Sequence, residues 1–275
     1  MSYKTLLVHV DDSTRSEART AFACDLALKY GAHLIGLYIV SQDVLRPLAT
    51  GEESLNLGAN EARHAQKMND AQARFTAAAQ RAGGPFEWRA PSGPSVETAV
   101  LHARHADLLV LGQPDPDNPA TYIARHFVED VIMSAGRPAI VLPHAGRIAT
   151  FGESALVAWD GGREAARALA DAIPLLKHAR FVTVVSVSKH PEDSTPEDID
   201  IAAYLDRHRV RASFTSIPRP PGVGTGATLL NQLSDRHADC LVMGAYGHAR
   251  ARERVLGGVT HTLLETMTVP VFMSH

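Results

Sequence analysis

A nine-residue phrase occurs twice in this chain of 275 residues. Residues 104–112 read RHADLLVLG and residues 236–244 read RHADCLVMG, so two substitutions separate the copies at an offset of 132 positions. This interval is far longer than a solenoid repeat and has the length of a whole domain. The sequence therefore predicts a duplicated domain, with one copy in residues 1–146 and the other in residues 152–275. The simplest arrangement of two such copies is an intrachain pseudo-dimer.

The composition narrows the class of protein. Apolar residues make up 45 % of the chain, which is enough for two ordinary cores. The net charge of −3, with acids and bases interspersed, provides no basic field and argues against nucleic acid as a partner. The N-terminal apolar run is too short for a secretory signal, and no apolar stretch reaches the length of a membrane span. We therefore expect a cytoplasmic protein with no membrane segment.

The cysteines and histidines do not form a recognisable metal or redox motif. Cys24 and Cys240 lie one in each half at positions that do not match, so we expect two buried small hydrophobic residues and no disulfide. None of the 14 histidines falls in an HExxH or a Cys/His grid. The sequence predicts no metal ligands and no catalytic residues.

Strands alternate with helices in both halves. The second half reads as the strands ALVAW, FVTVVSV, VRASFTSI, CLVMG and VPVFM with helices between them, and Pro174 should kink or end the first helix. The first half repeats this order, with a longer helix within residues 58–82 and an irregular excursion over 42–58 that has no assigned role. Several strands are apolar throughout, which predicts a mainly parallel sheet covered on both faces.

A glycine pattern follows the CLVMG strand. Gly244, Gly247 and Gly257 form GxxGx9G between the end of this strand and the start of the next helix, and Gly258 and Val259 follow directly. Glycines at such a place permit positive φ and close backbone approach, which leaves amide groups to face an anion. We expect this loop to bind a phosphate group. The alternative is that these are ordinary turn glycines.

Three arginines lie between these glycines. Arg250, Arg252 and Arg254 are spaced at two, and one or two of them could clamp phosphate oxygens in bidentate fashion. The alternative for each arginine is a solvated surface position.

Two further residues should face the same crevice. In a doubly wound sheet the first and fourth strands are neighbours, and ligands bind outside their carboxyl ends. Asp160 follows the first strand of the second half and could accept hydrogen bonds from a ribose or an adenine amine, or cap the following helix. Val187, at the end of the second strand, could contact a base through its backbone or belong only to the core.

The first half provides an internal control. At the offset of 132, Gly247 corresponds to Asp115, Gly257 to Arg125 and Gly258 to His126. The intervening loop is rich in prolines, which lack an N–H group, and in acids, which repel phosphate. Asp11 stands where the second half has Asp160, and we expect it to cap a helix. The first half should not bind a nucleotide phosphate.

The glycine set, the aspartate at a strand end and the α/β order together resemble the universal stress protein family in a tandem two-domain form. The resemblance implies two doubly wound α/β domains of the adenine nucleotide alpha hydrolase-like class, each with a five-stranded sheet in the order 3-2-1-4-5, paired through their last strands. It also implies adenine-nucleotide contacts at Asp160, Val187, Met243, Gly244, Gly247, Gly257, Gly258 and Val259. The chain departs from the family at Gly258, where a Ser or Thr is usual.

Three functions remain in competition. The first is a cytoplasmic stress-response protein that binds ATP, or ADP or AMP, in its C-terminal domain, with Mg2+ accompanying the nucleotide. The second is a nucleotide-free interaction scaffold, favoured by the missing hydroxyl at Gly258. The third is a slow ATPase or adenine nucleotide hydrolase, although no base or nucleophile is evident in the crevice. The protein partner and a further homodimer are left open.

Overall fold

A computed structural model describes residues 2–40, 57–115, 117, 126–188, 197–247 and 258–275, with the backbone alone for 57–60 and 197–200. These residues form two compact units, an N-terminal unit that ends at Arg137 and a C-terminal unit that begins at Pro138. The fifth strand of the first repeat therefore lies in the C-terminal unit. The domain ranges 1–146 and 152–275 stay a prediction about where the duplicated sequence divides.

The N-terminal unit contains four parallel strands in the order β3-β2-β1-β4. Its elements are β1 (Thr5–Val10), α1 (Ser16–Tyr30), β2 (His33–Tyr38), α2 (Leu57–Ala82), β3 (Phe86–Arg89), α3 (Ser95–Ala103), β4 (Leu108–Gly112) and α4 (Phe127–Ala135). The long helix packs on β2 through Phe75, since a Cβ on Gly36 would lie 2.6 Å from that ring. Close packing of α2 on the sheet thus requires a glycine at this point of β2.

The C-terminal unit contains five parallel strands in the order β8-β7-β6-β9-β10. Its elements are β5 (Ala139–Leu142), β6 (Ser154–Ala158), α5 (Arg163–Leu176), β7 (Phe181–Ser188), α6 (Glu197–Arg207), β8 (Ser213–Pro218), α7 (Thr225–Asp235), β9 (Cys240–Gly244), α8 (Val259–Thr266) and β10 (Val271–Ser274). The strand β5 pairs antiparallel with β10, so the last strands of the two repeats are hydrogen-bonded neighbours. Helix α5 continues through Pro174 and ends two residues later.

The predicted fold class is confirmed, and so is the strand order 3-2-1-4-5 in the C-terminal unit. The central strands β4 and β9 are buried along nearly their whole length, as their continuous apolar sequences predict. Both cysteines are reduced and buried, which agrees with the predicted core role, and burial raises the pKa of Cys24 to about 11. No helix in the described ranges is both long and apolar enough to span a bilayer.

The aspartate of the repeated phrase has a structural role in both copies. The carboxylate of Asp107 accepts hydrogen bonds from the amides of Lys4 and Thr5, at 2.7 and 3.0 Å. The carboxylate of Asp239 accepts three from the amides of residues 152–154, at 3.0 to 3.1 Å. Each aspartate thereby fixes the start of the first strand of its repeat beside the start of the fourth strand, because edge amides in turns need partners.

Candidate functional site

The carboxyl ends of β6 and β9 meet at the centre of the C-terminal sheet. Their parallel register pairs Leu156 with Leu241 and Val157 with Val242, so the residues that follow both strands emerge at one edge. This edge is the point where the connections of a doubly wound sheet reverse direction. We call the space bordered by Asp160, Glu164 and the turn of residues 244–247 the C-terminal crevice.

Gly244 allows the first turn of α5 to approach the end of β9. A Cβ at this position would lie 2.5 Å from the carbonyl carbon of Glu164 and 2.6 Å from the amide nitrogen of Ala165, which are distances that real side chains do not reach. The role of this glycine is therefore close backbone packing. Positive φ is used at none of the described glycines of the pattern; in this turn it occurs at Tyr246, with φ 58°.

Hydrogen bonds to residues outside it hold the turn of residues 244–247 in place. The Ala245 amide donates to the Ser274 carbonyl at 2.8 Å, and the Ala245 carbonyl accepts from Nδ1 of His275 at 2.9 Å. The Tyr246 amide donates to the Thr260 hydroxyl at 3.1 Å. The Gly247 amide makes no hydrogen bond within the described part of the chain. Of the amides of residues 245–247, that of Gly247 is therefore the one without an acceptor among the described residues.

Two carboxylates lie next to Gly247. A Cβ on Gly247 would be 3.1 Å from Oε2 of Glu164 and 3.9 Å from Oδ2 of Asp160. Asp160 is exposed, and its Oδ1 accepts a hydrogen bond from the Gly162 amide at 2.9 Å. Asp160 thus faces the crevice and also supports the start of α5, so its two predicted roles are compatible in the structure.

Glu164 is a site residue that the sequence reasoning missed. Its side chain is 9 % exposed, and its Oε1 accepts two hydrogen bonds from the Arg163 guanidinium, from Nε at 3.2 Å and from Nη2 at 2.9 Å. Burial raises the pKa of Glu164, but its own backbone amide and Arg163 outweigh burial and hold the pKa below its ordinary value. Glu164 is therefore ionised at neutral pH. Its sequence signal, an acid in a first helical turn, is shared by many solvated residues.

The other predicted contacts lie near the end of β7, in β9 and at the start of α8. Val187 is half-buried in β7, one residue before its end, and Met243 is buried in β9, so only its backbone could face a ligand. Val259 is the first residue of α8 and Gly258 is its N-cap, with φ −70° and no side-chain cap. A Cβ on Gly258 would meet nothing within 4 Å.

Several predicted residues lie outside the described part of the chain. These are Gly257 and the whole segment 248–256, including Arg250, Arg252 and Arg254. Their predicted roles stay predictions. In the ranges that are described, no group of three or more His, Cys, Asp or Glu side chains could hold a metal ion.

In the N-terminal unit an arginine is buried at the corresponding strand ends. Arg19 projects from α1 with its Nη2 2.8 Å from Oδ2 of Asp11, and both side chains are 4 % exposed. Its Nε donates to the His9 carbonyl at 2.6 Å. A Cβ on Gly112, the counterpart of Gly244, would collide with this guanidinium. The Arg19 guanidinium thus lies beside Gly112 at the end of β4. In the C-terminal unit, the backbone of the first turn of α5 lies beside Gly244 at the end of β9.

The prediction that Asp11 caps a helix is wrong, because the N-cap of α1 is Arg15, without a side-chain cap, and the Asp11 carboxylate binds Ser13 and Arg19 instead. Its Oδ1 accepts from both the amide and the hydroxyl of Ser13, at 3.0 and 2.6 Å. Burial opposes ionisation, but Arg19, His9 and Ser13 outweigh it and hold the pKa of Asp11 below its ordinary value. Burial also lowers the pKa of His9 to about 4, and its Nε2 donates to the Ile39 carbonyl at 2.9 Å. Arg19 and Asp11 thus form a buried ion pair.

The loop after β4 departs from the glycine pattern in its described residues. Asp115, at the position of Gly247, accepts a hydrogen bond from the Asp117 amide at 3.0 Å. His126, at the position of Gly258, has φ 70°, and its Nδ1 lies 3.2 Å from Oε1 of Glu129. An acid and an imidazole therefore stand where the second half has a glycine amide and an open helix start.

Comparison with known proteins decides the family. The sequence profile described as "Universal stress protein family" matches residues 2–143, which is more than half of the chain. The chain belongs to this family. The matched residues are those of the first repeat, the half that contains the buried ion pair of Arg19 and Asp11.

Solved structures of the universal stress protein fold extend the likeness to both repeats. A universal stress protein from Archaeoglobus fulgidus DSM 4304 is 16 % identical over 98 % of this chain and 95 % of its own, with a TM-score of 0.77. A functionally unknown protein from Pseudomonas aeruginosa PAO1 is 17 % identical over 99 % of this chain and 92 % of its own, with a TM-score of 0.58. At such identities the likeness concerns the fold alone. No curated protein matches the sequence.

Proposed function

We propose that this universal stress protein binds ATP, or ADP or AMP, in its C-terminal crevice and acts as a regulatory stress-response protein of the cytoplasm. The observation that carries the proposal is the asymmetry between the repeats. One crevice holds a buried Arg19–Asp11 ion pair, whereas the other presents the Gly247 amide beside Asp160. The proposed ligand site is therefore confined to the second repeat.

The contacts follow from the chemistry of the groups at this edge. Asp160, which is exposed, would accept hydrogen bonds from a ribose hydroxyl or from the adenine amine. The backbones of Val187 and Met243 would border the base. The amide of Gly247 and those at the start of α8, Gly258 and Val259, would donate to phosphate oxygens together with Gly257. This set of contacts combines a neutral sugar and base site with an anion site.

Mg2+ would arrive with the nucleotide. Two carboxylates, Asp160 and Glu164, border the crevice and would repel a bare polyphosphate. A divalent cation bound to the phosphates removes part of this repulsion, and carboxylate oxygens are the hard donors that Mg2+ prefers. We therefore propose that the magnesium complex of ATP binds more tightly than free ATP does.

Calorimetric titration with ATP, ADP and AMP, with and without Mg2+, tests the proposal. The wild-type protein should bind, and Gly247→Asp should abolish binding because it adds a third carboxylate at the phosphate position. Gly84→Asp adds the same charge in an open loop of the N-terminal unit and should bind like the wild type. Absence of heat at millimolar nucleotide would refute the proposal.

The second candidate is a nucleotide-free interaction scaffold, and one observation favours it. The amides of Ala245 and Tyr246 already donate to Ser274 and Thr260, so the turn contributes fewer donors than a glycine-rich loop could. This function predicts that captured protein partners are the same with and without added ATP. A change in the set of partners on adding nucleotide would count against it.

A further inference from the structure

Arg163 is an exposed cation that is held in a fixed orientation at the edge of the C-terminal crevice. It is the first residue of α5, and its side chain is 77 % exposed. Two of its five N–H groups, one on Nε and one on Nη2, are bound to the single oxygen Oε1 of Glu164. The other donors make no hydrogen bond within the described residues and face outward. A guanidinium fixed in this way retains donors for a planar oxyanion.

Glu164 lies between the arginine and the turn at Gly247. The backbone and Cβ of this glutamate pack against Gly244, within 2.5 to 2.8 Å of where a Cβ would stand. Its second carboxylate oxygen, Oε2, is 3.1 Å from the corresponding position on Gly247. One carboxylate therefore binds the guanidinium through Oε1, while its Oε2 borders the side of Gly247 on which a Cβ would stand. The pairing with Glu164 restricts the Arg163 side chain before any ligand binds, which lowers the conformational cost of binding.

The charge balance of the crevice gives Arg163 a role. Asp160 and Glu164 both lie within 4 Å of the Cβ position on Gly247, so a phosphate at that amide would meet two negative charges. Arg163 is the cation that the structure places on Glu164, at 2.9 Å. An anion that bridges the Gly247 amide and the Arg163 guanidinium would gain a charge-assisted contact that compensates for these carboxylates.

We infer that Arg163 recognises a phosphate group of the bound nucleotide and makes the C-terminal crevice select phosphorylated ligands over the nucleoside. This inference rests on the proposed nucleotide site and adds its specificity-determining residue. Glu164 is the positioning residue that orients the guanidinium. Adenosine, which has no phosphate, would bind without using Arg163.

Calorimetry on the full chain with ATP, adenosine and inorganic tripolyphosphate tests this role. Arg163→Gln should weaken binding of ATP and of tripolyphosphate by at least about tenfold, the effect of a lost charge-assisted hydrogen bond. Binding of adenosine should change less than about twofold. The affinity of the wild type for ATP should also fall more steeply with salt than that of the variant. Because the Arg163 side chain is 77 % exposed, its replacement removes little buried apolar surface, and urea denaturation of the variant checks that the loss of the Glu164 partner does not unfold the unit.

The matched control is Arg167→Gln, which removes the same charge one turn further along α5, where Arg167 pairs with Asp171 at 2.9 Å. This control should bind all three ligands like the wild type. If Arg163→Gln binds ATP as tightly as the wild type, the inference fails and the proposed function stands. If the wild type binds tripolyphosphate through Arg163 but not ATP, the proposed function fails and the anion contact stands. If it binds neither, both are refuted.

Discussion

The hydroxyl of Thr260 accepts a hydrogen bond from the amide of Tyr246, at 3.1 Å, and joins the start of α8 to the turn after β9. Thr260 is 4 % exposed, and Tyr246 is held at φ 58°, which a residue with a side chain seldom adopts. The strained residue thus depends on a partner 14 positions away in the sequence. This link keeps the turn in place while Gly247 stays available.

Removing the Thr260 hydroxyl should destabilise the C-terminal unit. Thr260→Val keeps the volume but leaves the Tyr246 amide without its acceptor, and we expect a loss of about 1–3 kcal/mol in the free energy of unfolding. Urea denaturation measures this loss. Thr260→Ser retains the acceptor and should lose less, so equal losses in the two variants would contradict the assigned role.

Gly244 should not tolerate even one methyl group. Gly244→Ala would force the first turn of α5 away from β9, at a cost of about 1–3 kcal/mol in unfolding free energy. Gly258→Ala adds the same atom in open space and should cost less than about 1 kcal/mol. Paired urea curves provide the comparison, and a larger loss for Gly258→Ala would show that the close contact is not what Gly244 provides.

Arg19 and Asp11 should depend on each other. Arg19→Met leaves a buried carboxylate without its cation and should destabilise the N-terminal unit by about 3–5 kcal/mol. Adding Asp11→Asn removes the uncompensated charge, so the double variant should be more stable than Arg19→Met alone. A double-mutant cycle on unfolding free energies measures the coupling, and strictly additive losses would rule out a direct interaction.

His9 should make the N-terminal unit sensitive to acid. Its pKa in the folded unit is about 4, below the ordinary value of 6.5, so the unfolded chain binds a proton in the interval where the folded chain does not. The part of the unfolding free energy that depends on a neutral His9 is present above pH 6.5. It is lost as the pH falls from 6.5 to about 4. Between about pH 7 and 4.5 we expect roughly 2 kcal/mol of destabilisation from this residue.

His9→Gln isolates this effect, because an amide can still donate to the Ile39 carbonyl but does not titrate in this interval. A Trp159→Phe background leaves Trp88 as the single tryptophan, so its fluorescence reports on the unit that contains His9. The loss of stability with falling pH should be smaller in the variant. Identical pH profiles would contradict the assignment.

Gly258→Ser should strengthen nucleotide binding if the proposed function is right. The added side chain has open space around its Cβ, and it restores the hydroxyl that the family resemblance implies at the start of this helix. One hydrogen bond to a phosphate predicts an affinity gain of roughly threefold to tenfold. Calorimetry with ATP measures it, and Gly258→Ala, which lacks the hydroxyl, should show no gain.

The alternation of strands and helices could be predicted because its signals are local. Apolar runs, helical spacing and the duplicated phrase lie within short windows of sequence, and the order 3-2-1-4-5 came with the family resemblance. Arg19 could not be predicted in the same way, since an arginine in an amphipathic helix is ordinarily solvated. Its burial depends on Asp11 and on the bare Gly112, which comes from a distant strand.

The candidate site could likewise be predicted only in part. The juxtaposition of Asp160 with the turn at Gly247 followed from a general rule about neighbouring strands. The position of Glu164 beside Gly247 did not follow from that rule. It depends on the packing distance between α5 and β9, which Gly244 makes short. The engagement of the Tyr246 amide by Thr260 was equally hidden, as the two residues lie on opposite sides of a long connection.

The aspartates Asp107 and Asp239 secure the strands at the amino edge of each sheet, away from the crevices at the carboxyl edge. Exchanging residues around a crevice therefore leaves strand register untouched. The two repeats therefore share the anchoring of their strands at one edge and differ in the residues at the other, where Arg19 is buried in the first repeat and the Gly247 amide lies in the second. Grafting experiments between the two repeats can accordingly leave Asp107 and Asp239 unchanged and exchange only residues at the carboxyl edge.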